Sequence, residues 1–188
     1  MSDQIPTVQE LVPTIQELVP AIRELGHAGD LDWVVTAHGR LYRSEFGWDA
    51  GFQALVARIV ADYAAQHDPE REAAWIAELD GRRVGCVLCV AGDQDTALLR
   101  ALLVDPIARD QGLGRRLVDQ CIAFARQAGY RRMRLWTNDP LVAARKIYLA
   151  RGFQLVDEQP HHSFGVDLVG QTYELDLQAA ADAPHSVR

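Results

Sequence analysis

The chain has no apolar run approaching the ~20 residues of a membrane-crossing helix, and its opening, MSDQIPTVQE, lacks the basic start and apolar stretch of a secretory leader. These absences point to a cytoplasmic protein without a membrane partner. Cysteine is scarce, at three residues, too few for a disulfide scaffold. Cys86 and Cys89 form a C-x-x-C, but strand alternation sends residues three apart to opposite faces and no second ligand pair exists, so no metal is expected. Cys121 reads as a core residue. Positive charge is in deficit: 19 Lys+Arg face 26 Asp+Glu, a formal net charge of -7. That sign disfavours nucleic acid and anionic membrane as partners. Two phosphate-loop signatures are missing as well. There is no G-x-x-x-x-G-K-[ST], and no G-x-G-x-x-G with an acidic residue ~20 positions on.

What is present is enough apolar residue for one core, 48% of 188 residues, and one informative loop. The run from Ala97 to Val104 reads as a mostly buried strand, ended by the turn signal Asp105-Pro106. Leu113, Leu117, Cys121, Phe124, Ala125 and Ala128 then recur at helical spacing up to Gly129. The intervening Arg109-Asp110-Gln111-Gly112-Leu113-Gly114 therefore lies at a helix N-terminus, where unpaired N–H groups and the positive end of the dipole stabilise an anion. Gly112 and Gly114 leave room for a phosphate, and Arg109 adds a planar cation. Arg115, Arg116, Arg126, Arg131, Arg132 and Arg134 concentrate positive charge nearby, suited either to phosphates or to ordinary solvated faces.

Downstream, Arg132 to Thr137 alternates as a half-buried strand. Asn138-Asp139-Pro140 then predicts a helix start, with Asn138 as cap. Leu141, Ala144, Ile147 and Tyr148 share one side of that helix, which ends at Gly152 before a strand from Phe153 to Glu158. Arg109 to Gly114 and the set Ala144, Tyr148, Gly152, Phe153 together resemble the GCN5-related N-acetyltransferase (GNAT) family, in its R/Q-x-x-G-x-G/A and A-x-x-x-Y-x-x-x-G-F motifs. The stretches LWTNDPLVAARKIYLARGF and PHHSFGVDLVGQTYELDL resemble more closely the acetyltransferase half of bifunctional regulators that also carry a MarR-type DNA-binding domain. About twenty residues precede the first predicted strand, against the ~50 a domain needs, so no DNA-binding role is expected.

The resemblance implies acetyl-CoA as cosubstrate and a primary amine of a small molecule or peptide as acceptor, attacked directly in a ternary complex. It implies that two neighbouring strands splay where the pantetheine inserts. Backbone groups of Leu102 and Val104 would bond that arm, and Arg109, Gln111, Gly112, Leu113, Gly114 and Arg115 would hold the diphosphate. Asn138, Ala144 and Tyr148 would complete the coenzyme site. Tyr148 matches the family tyrosine that donates a proton to the departing sulfur. No carboxylate lies between Ala97 and Val104, so the general base is sought at Glu45, at His161 and His162 in the loop before the final strand, or at His38. The His161-His162 pair reads equally as catalytic or substrate-contacting and as a plain surface turn, and His38 as a core or boundary histidine. The family's acceptor pocket borders the junction of the first two helices, which makes Tyr42, Glu45, Phe46 and Trp48 candidate substrate contacts; packing is the better account of Phe46. The acidic balance favours a cationic amine. A CoA-binding sensor without turnover, and transfer of a longer acyl group, are the competing readings.

Residues 1–20 carry a seven-residue repeat, Thr7 to Pro13 and Thr14 to Pro20, too short and too proline-broken for a coiled coil. It is expected to pack on the domain or on a partner subunit, which admits a homodimer. The acetyltransferase domain is expected over residues 21–178, and 179–188 as a frayed tail. Its elements begin with a strand at Ala21 to Leu25 and a helix capped by Asp30, then a helix from Ala50 to His67. A hairpin follows through Asp80-Gly81, with paired strands near Phe153 and Thr172 to Leu177. The expected class is α/β (α+β): a mixed, mostly antiparallel sheet of about seven strands flanked by helices.

Overall fold

The computed structural model describes residues 19–179; the repeated segment up to residue 18 and the tail beyond 179 lie outside them. Seven strands form one sheet: β1 (Ala21–Glu24), β2 (Ala73–Leu79), β3 (Arg82–Ala91), β4 (Thr96–Val104), β5 (Arg132–Asn138), β6 (Gln154–Ser163) and β7 (Val166–Asp176), in the order β1-β2-β3-β4-β5-β7-β6. Only β4 and β5 run parallel. The mixed, mostly antiparallel sheet read from the sequence is the one that forms.

Among the described residues four α-helices cover the sheet: α1 (Asp30–Phe46), α2 (Ala50–Gln66), α3 (Leu113–Gln127) and α4 (Val142–Ala150). The buried stripe of α3, Leu113, Leu117, Val118, Cys121, Ile122 and Ala125, packs with Tyr148 of α4 on one face. Val34, Ala37 and Leu41 of α1 and Val56 and Val60 of α2 cover the other. Cys86 belongs to the second cluster and Cys89 to the first, so the two thiols sit on opposite faces, as alternation requires. Asp80 and Gly81, at φ 52 and 69, form the two-residue left-handed turn that matches strand twist in the β2–β3 hairpin.

Three local readings are corrected. Asp30 is the first helical residue, not the cap; Gly29 occupies the cap position. Asn138 ends β5 and α4 begins only at Val142, because Asn138 and Asp139 spend their side chains on β6 and β7 rather than on helix N–H groups. The His161-His162 pair lies inside β6, not in a loop. Pro160 argues locally against a strand there, but β6 is an edge strand, which tolerates a missing donor.

Asp30 ties the entry of the chain to the sheet. Its side chain is fully buried and meets Arg23 of β1 at 2.7 Å and Arg83 of β3 at 2.7 Å, while Gly26 and His27 donate backbone N–H groups to it. Arg23 chiefly, helped by these other donors, holds the carboxyl well below its usual range against the opposing effect of burial. His38 of α1 is also buried, its Nδ1 2.7 Å from the carbonyl of Val34. Burial lowers its pKa to about 4.

Both folded-state values lie below the unfolded ones, so the unfolded chain takes up each proton first and stability falls as pH falls. For His38 the window is pH 6.5 to about 4, worth roughly 3 kcal/mol. For Asp30 the loss begins near pH 4 and continues below it. Urea unfolding against pH is expected to show both limbs, and His38→Gln to flatten the upper one alone. Asp30→Asn is expected to cost on the order of 3 kcal/mol at pH 7 by stranding Arg23 and Arg83; an unchanged urea midpoint would refute the anchoring role.

Candidate active site

Parallel pairing between β4 and β5 lasts only from Thr96↔Arg132 to Leu98↔Arg134. Beyond it the strands diverge, and the β5-facing edge of β4 from Leu99 to Val104 has no ladder. On its other edge β4 stays paired with β3, interrupted by a bulge between Cys86↔Leu103 and Leu88↔Arg100. Ala101 sits in that bulge at φ 49, a conformation alanine rarely adopts. Asp105 donates its N–H to Val84 of β3 at 2.8 Å, so alternation turns the backbone polar groups of Val104 and Leu102 toward the open side.

A cavity fills the gap. Leu99 to Leu102 of β4 and Trp136 to Asn138 of β5 form its sides. His38, Tyr42, Phe52 and Val56 of α1 and α2 close one end, and Ala144 and Tyr148 of α4 close the other. Tyr148 is buried against Phe153 and Tyr173, with ring centroids at 5.8 and 6.4 Å. Burial first, then Tyr42 and Cys121, push its phenol well above the ordinary range.

The wall beside α1 and α2 is aromatic. Trp48, 2% exposed, lies 5.1 Å from Tyr42, 4.7 Å from Phe52 and 5.2 Å from Phe164 at the β6–β7 turn. Phe46 packs on the same group, as expected of a packing residue. Trp136 lies across Gly170 of β7, where a Cβ would come within 2.9 Å of its indole nitrogen. Glycine is needed at that close approach. The indole also faces His161 at 5.6 Å.

At the loop, Gly112 is the cap residue of α3 at φ 71, with no side-chain capping bond and open space where a Cβ would point. The first helical bond runs from the N–H of Arg116 to the carbonyl of Gly112. The N–H groups of Leu113, Gly114 and Arg115 thus have no carbonyl inside the helix to bond. Gly114 acts through packing instead, since a Cβ there would meet Ile147 of α4 at 2.8 Å; its absence lets α3 and α4 approach. Gln111 is exposed and donates to the carbonyl of Ile107. These features fit an extended, diphosphate-bearing cosubstrate: an unpaired strand edge, an uncapped helix terminus and an open glycine.

Several expected residues have other partners. Arg109 pairs with Glu45 at 2.7 Å and reaches the carbonyl of Val104, linking α1 to the loop. Arg116 bonds the carbonyl of Pro20, Arg126 that of Leu177, and Arg134 pairs with Glu174. The basic concentration is therefore largely structural, while Arg115 stays exposed beside the loop. His161 Nε2 lies 2.9 Å from Asn138 Oδ1 and its Nδ1 2.9 Å from Ser163 Oγ. His162 points away and pairs with exposed Asp167. Sequence reasoning missed Arg100, Phe52, Leu55, Trp136 and Thr137 as cavity residues. Only Arg100 gave a signal, as a cation inside an apolar run.

Comparison with known proteins agrees with this geometry. Human N-acetylaspartate synthetase is 34% identical over 89 residues, which cover 47% of this chain and 30% of that protein. The rat protein of the same name gives the same identity and coverage, so the match spans under a third of these relatives. Among solved structures, yncA of Salmonella typhimurium, determined with its cofactor acetyl-CoA, has a TM-score of 0.66 at 17% identity and covers 90% of this chain and 97% of its own. An N-acetyltransferase from Staphylococcus aureus has a TM-score of 0.69 at 21% identity, covering 84% and 98%. The pattern of the acetyltransferase (GNAT) family matches residues 37–153, more than half of the chain and all of the cavity from α1 to α4: the protein belongs to the GNAT family.

Proposed function

We propose that the protein is an N-acetyltransferase that moves an acetyl group from acetyl-CoA to a primary amine of a small molecule or peptide. The observation that carries the reading is the splay of β4 and β5, which opens an unpaired strand edge leading from the uncapped N-terminus of α3 to Tyr148. Leu102 and Val104 would receive the amide-bearing arm as an added strand would be received. Gln111, Gly112, Leu113, Gly114 and Arg115 would hold the diphosphate, with Arg109 fixing the loop and Asn138 and Ala144 bordering the arm. The names of the curated relatives describe synthesis of an N-acetylated amino acid, which supports an amine acceptor. From the closer resemblance to bifunctional regulators we carry over the transferase half alone.

The coenzyme supplies an activated acetyl thioester; the chain supplies orientation, an aromatic-walled cavity and hydrogen bonds. The amine nitrogen attacks the carbonyl carbon, the carbon–nitrogen bond forms and the carbon–sulfur bond breaks. The N–H of Val104 faces the gap and stabilises negative charge on the carbonyl oxygen. Tyr148 remains protonated because burial disfavours phenolate, so it offers a hydrogen-bond donor to the leaving sulfur at every working pH. The same desolvation raises the basicity of a departing thiolate and eases its protonation. The proton lost by the attacking amine passes to His161 or Glu45, directly or through water. His161, held between Asn138 and Ser163, and Glu45, held by Arg109, are both oriented by partners. His162 is exposed, pairs with Asp167 and does not line the cavity.

Tyr148→Phe is expected to lower turnover on the order of 100-fold while leaving acetyl-CoA affinity nearly unchanged, measured by free-thiol release and calorimetry. Equal turnover would remove Tyr148 from the chemistry. Gly112→Asp places a carboxylate and a strained backbone at the helix terminus, and is expected to weaken acetyl-CoA binding at least about tenfold. Full affinity in that variant would contradict the diphosphate site. Tight acetyl-CoA binding without thiol release across amine acceptors would favour a sensor.

A further inference from the structure

The acceptor end of the cavity has a charge pattern that coenzyme binding does not use. Arg100 lies in β4 beside the bulge at Ala101 and lines the cavity with Leu55, Ile59, Trp136 and Asn138. Neighbouring arginines have partners: Arg109 has Glu45, Arg134 has Glu174, and Arg145 has the carbonyl of Asp139 and the side chain of Gln171. Arg100 has none among the described residues, and burial alone acts on it, with no charge or hydrogen bond in compensation. Among the described residues, no aspartate or glutamate lines the cavity. A half-buried guanidinium keeps its charge, and one withdrawn from water without an anion is an arrangement that folding alone does not favour.

A second group points the same way. His38 lines the cavity, and its Nδ1 is committed to the carbonyl of Val34, which makes Nε2 the lone-pair nitrogen. Nε2 is buried and has no hydrogen-bond partner. It is the one such orphaned side-chain atom among the described residues. One cation without an anion and one acceptor without a donor thus share a cavity.

Building on the acetyl-transfer reading, we propose that the acceptor is an amino acid or related amino carboxylic acid, its carboxylate held by Arg100 and a donor group by His38 Nε2. The planar guanidinium matches a carboxylate in bidentate geometry. The pattern also serves the chemistry: a cavity with a fixed cation and no anion disfavours an ammonium, so the amine is held in its neutral, nucleophilic form. The net charge of -7 favours a cationic amine on composition alone, but the cavity reverses that sign locally.

The test compares representative L-amino acids, L-aspartate, L-methionine and L-phenylalanine among them, with their carboxamides and decarboxylated amines. Thiol release measures turnover, and quenching of Trp48 and Trp136 fluorescence in the presence of CoA measures binding. At least one acid is expected to exceed its matched amide roughly 10- to 100-fold in kcat/KM. Arg100→Gln is expected to raise KM for the acid by a similar factor and leave the amide unchanged, with Arg100→Lys intermediate. Binding of an acid over its amide without turnover would support the carboxylate site and overturn the transfer reading. Turnover of amides or simple amines as efficient as that of the acids would overturn the carboxylate site and keep the transferase. Neither binding nor turnover of any acid would also overturn it.

Discussion

The loss of pairing between β4 and β5 after Leu98 and Arg134 is the constraint on which the rest of the structure depends. A continuous parallel ladder would satisfy the backbone of Leu99 to Val104 internally and leave no path between the two faces of the sheet. Divergence leaves that backbone open, and an open buried edge is tolerated only where something else bonds it. The bulge at Ala101 keeps β4 fastened to β3 while it turns away from β5. Gly114 and Gly170 then bring α4 and Trp136 close to the gap, since a Cβ at either position would collide.

Around this opening, charge is arranged in two different ways. Outside it, ions are paired and mechanical: Asp30 fastens β1, β3 and α1, and the Arg109–Glu45 pair fastens α1 to the glycine loop. Inside it, polar groups are left open. The N–H groups at the start of α3, the guanidinium of Arg100 and Nε2 of His38 lack partners in their own elements. Paired groups hold the frame, and the open ones face the reactants.

What was legible in the sequence followed from local rules. Helical spacing and Gly129 fixed the ends of α3, Asp80-Gly81 fixed a hairpin, and the two motifs around Arg109 to Gly114 and Ala144 to Phe153 named a family that the comparisons share. What was not legible depended on contacts distant in sequence. Asn138 has the local signature of a helix cap, but His161, 23 residues on, claims its side chain. His161 and His162 have the local signature of a loop because Pro160 hides a strand that exists only at the sheet's edge. Arg109 reads as free to meet a phosphate because Glu45 is 64 residues away in the chain. Arg100 shows in the sequence as a cation inside an apolar run, but its meaning lies in having no partner, which no local pattern can show.

The most direct measurement is residue-resolved amide hydrogen exchange with and without acetyl-CoA. The account predicts new protection at Leu102 and Val104 on the open edge of β4 and at Gly112 to Arg115 at the start of α3, with the β2–β3 hairpin unchanged. Binding of acetyl-CoA that left those two backbone segments unprotected, or protected another surface, would contradict it.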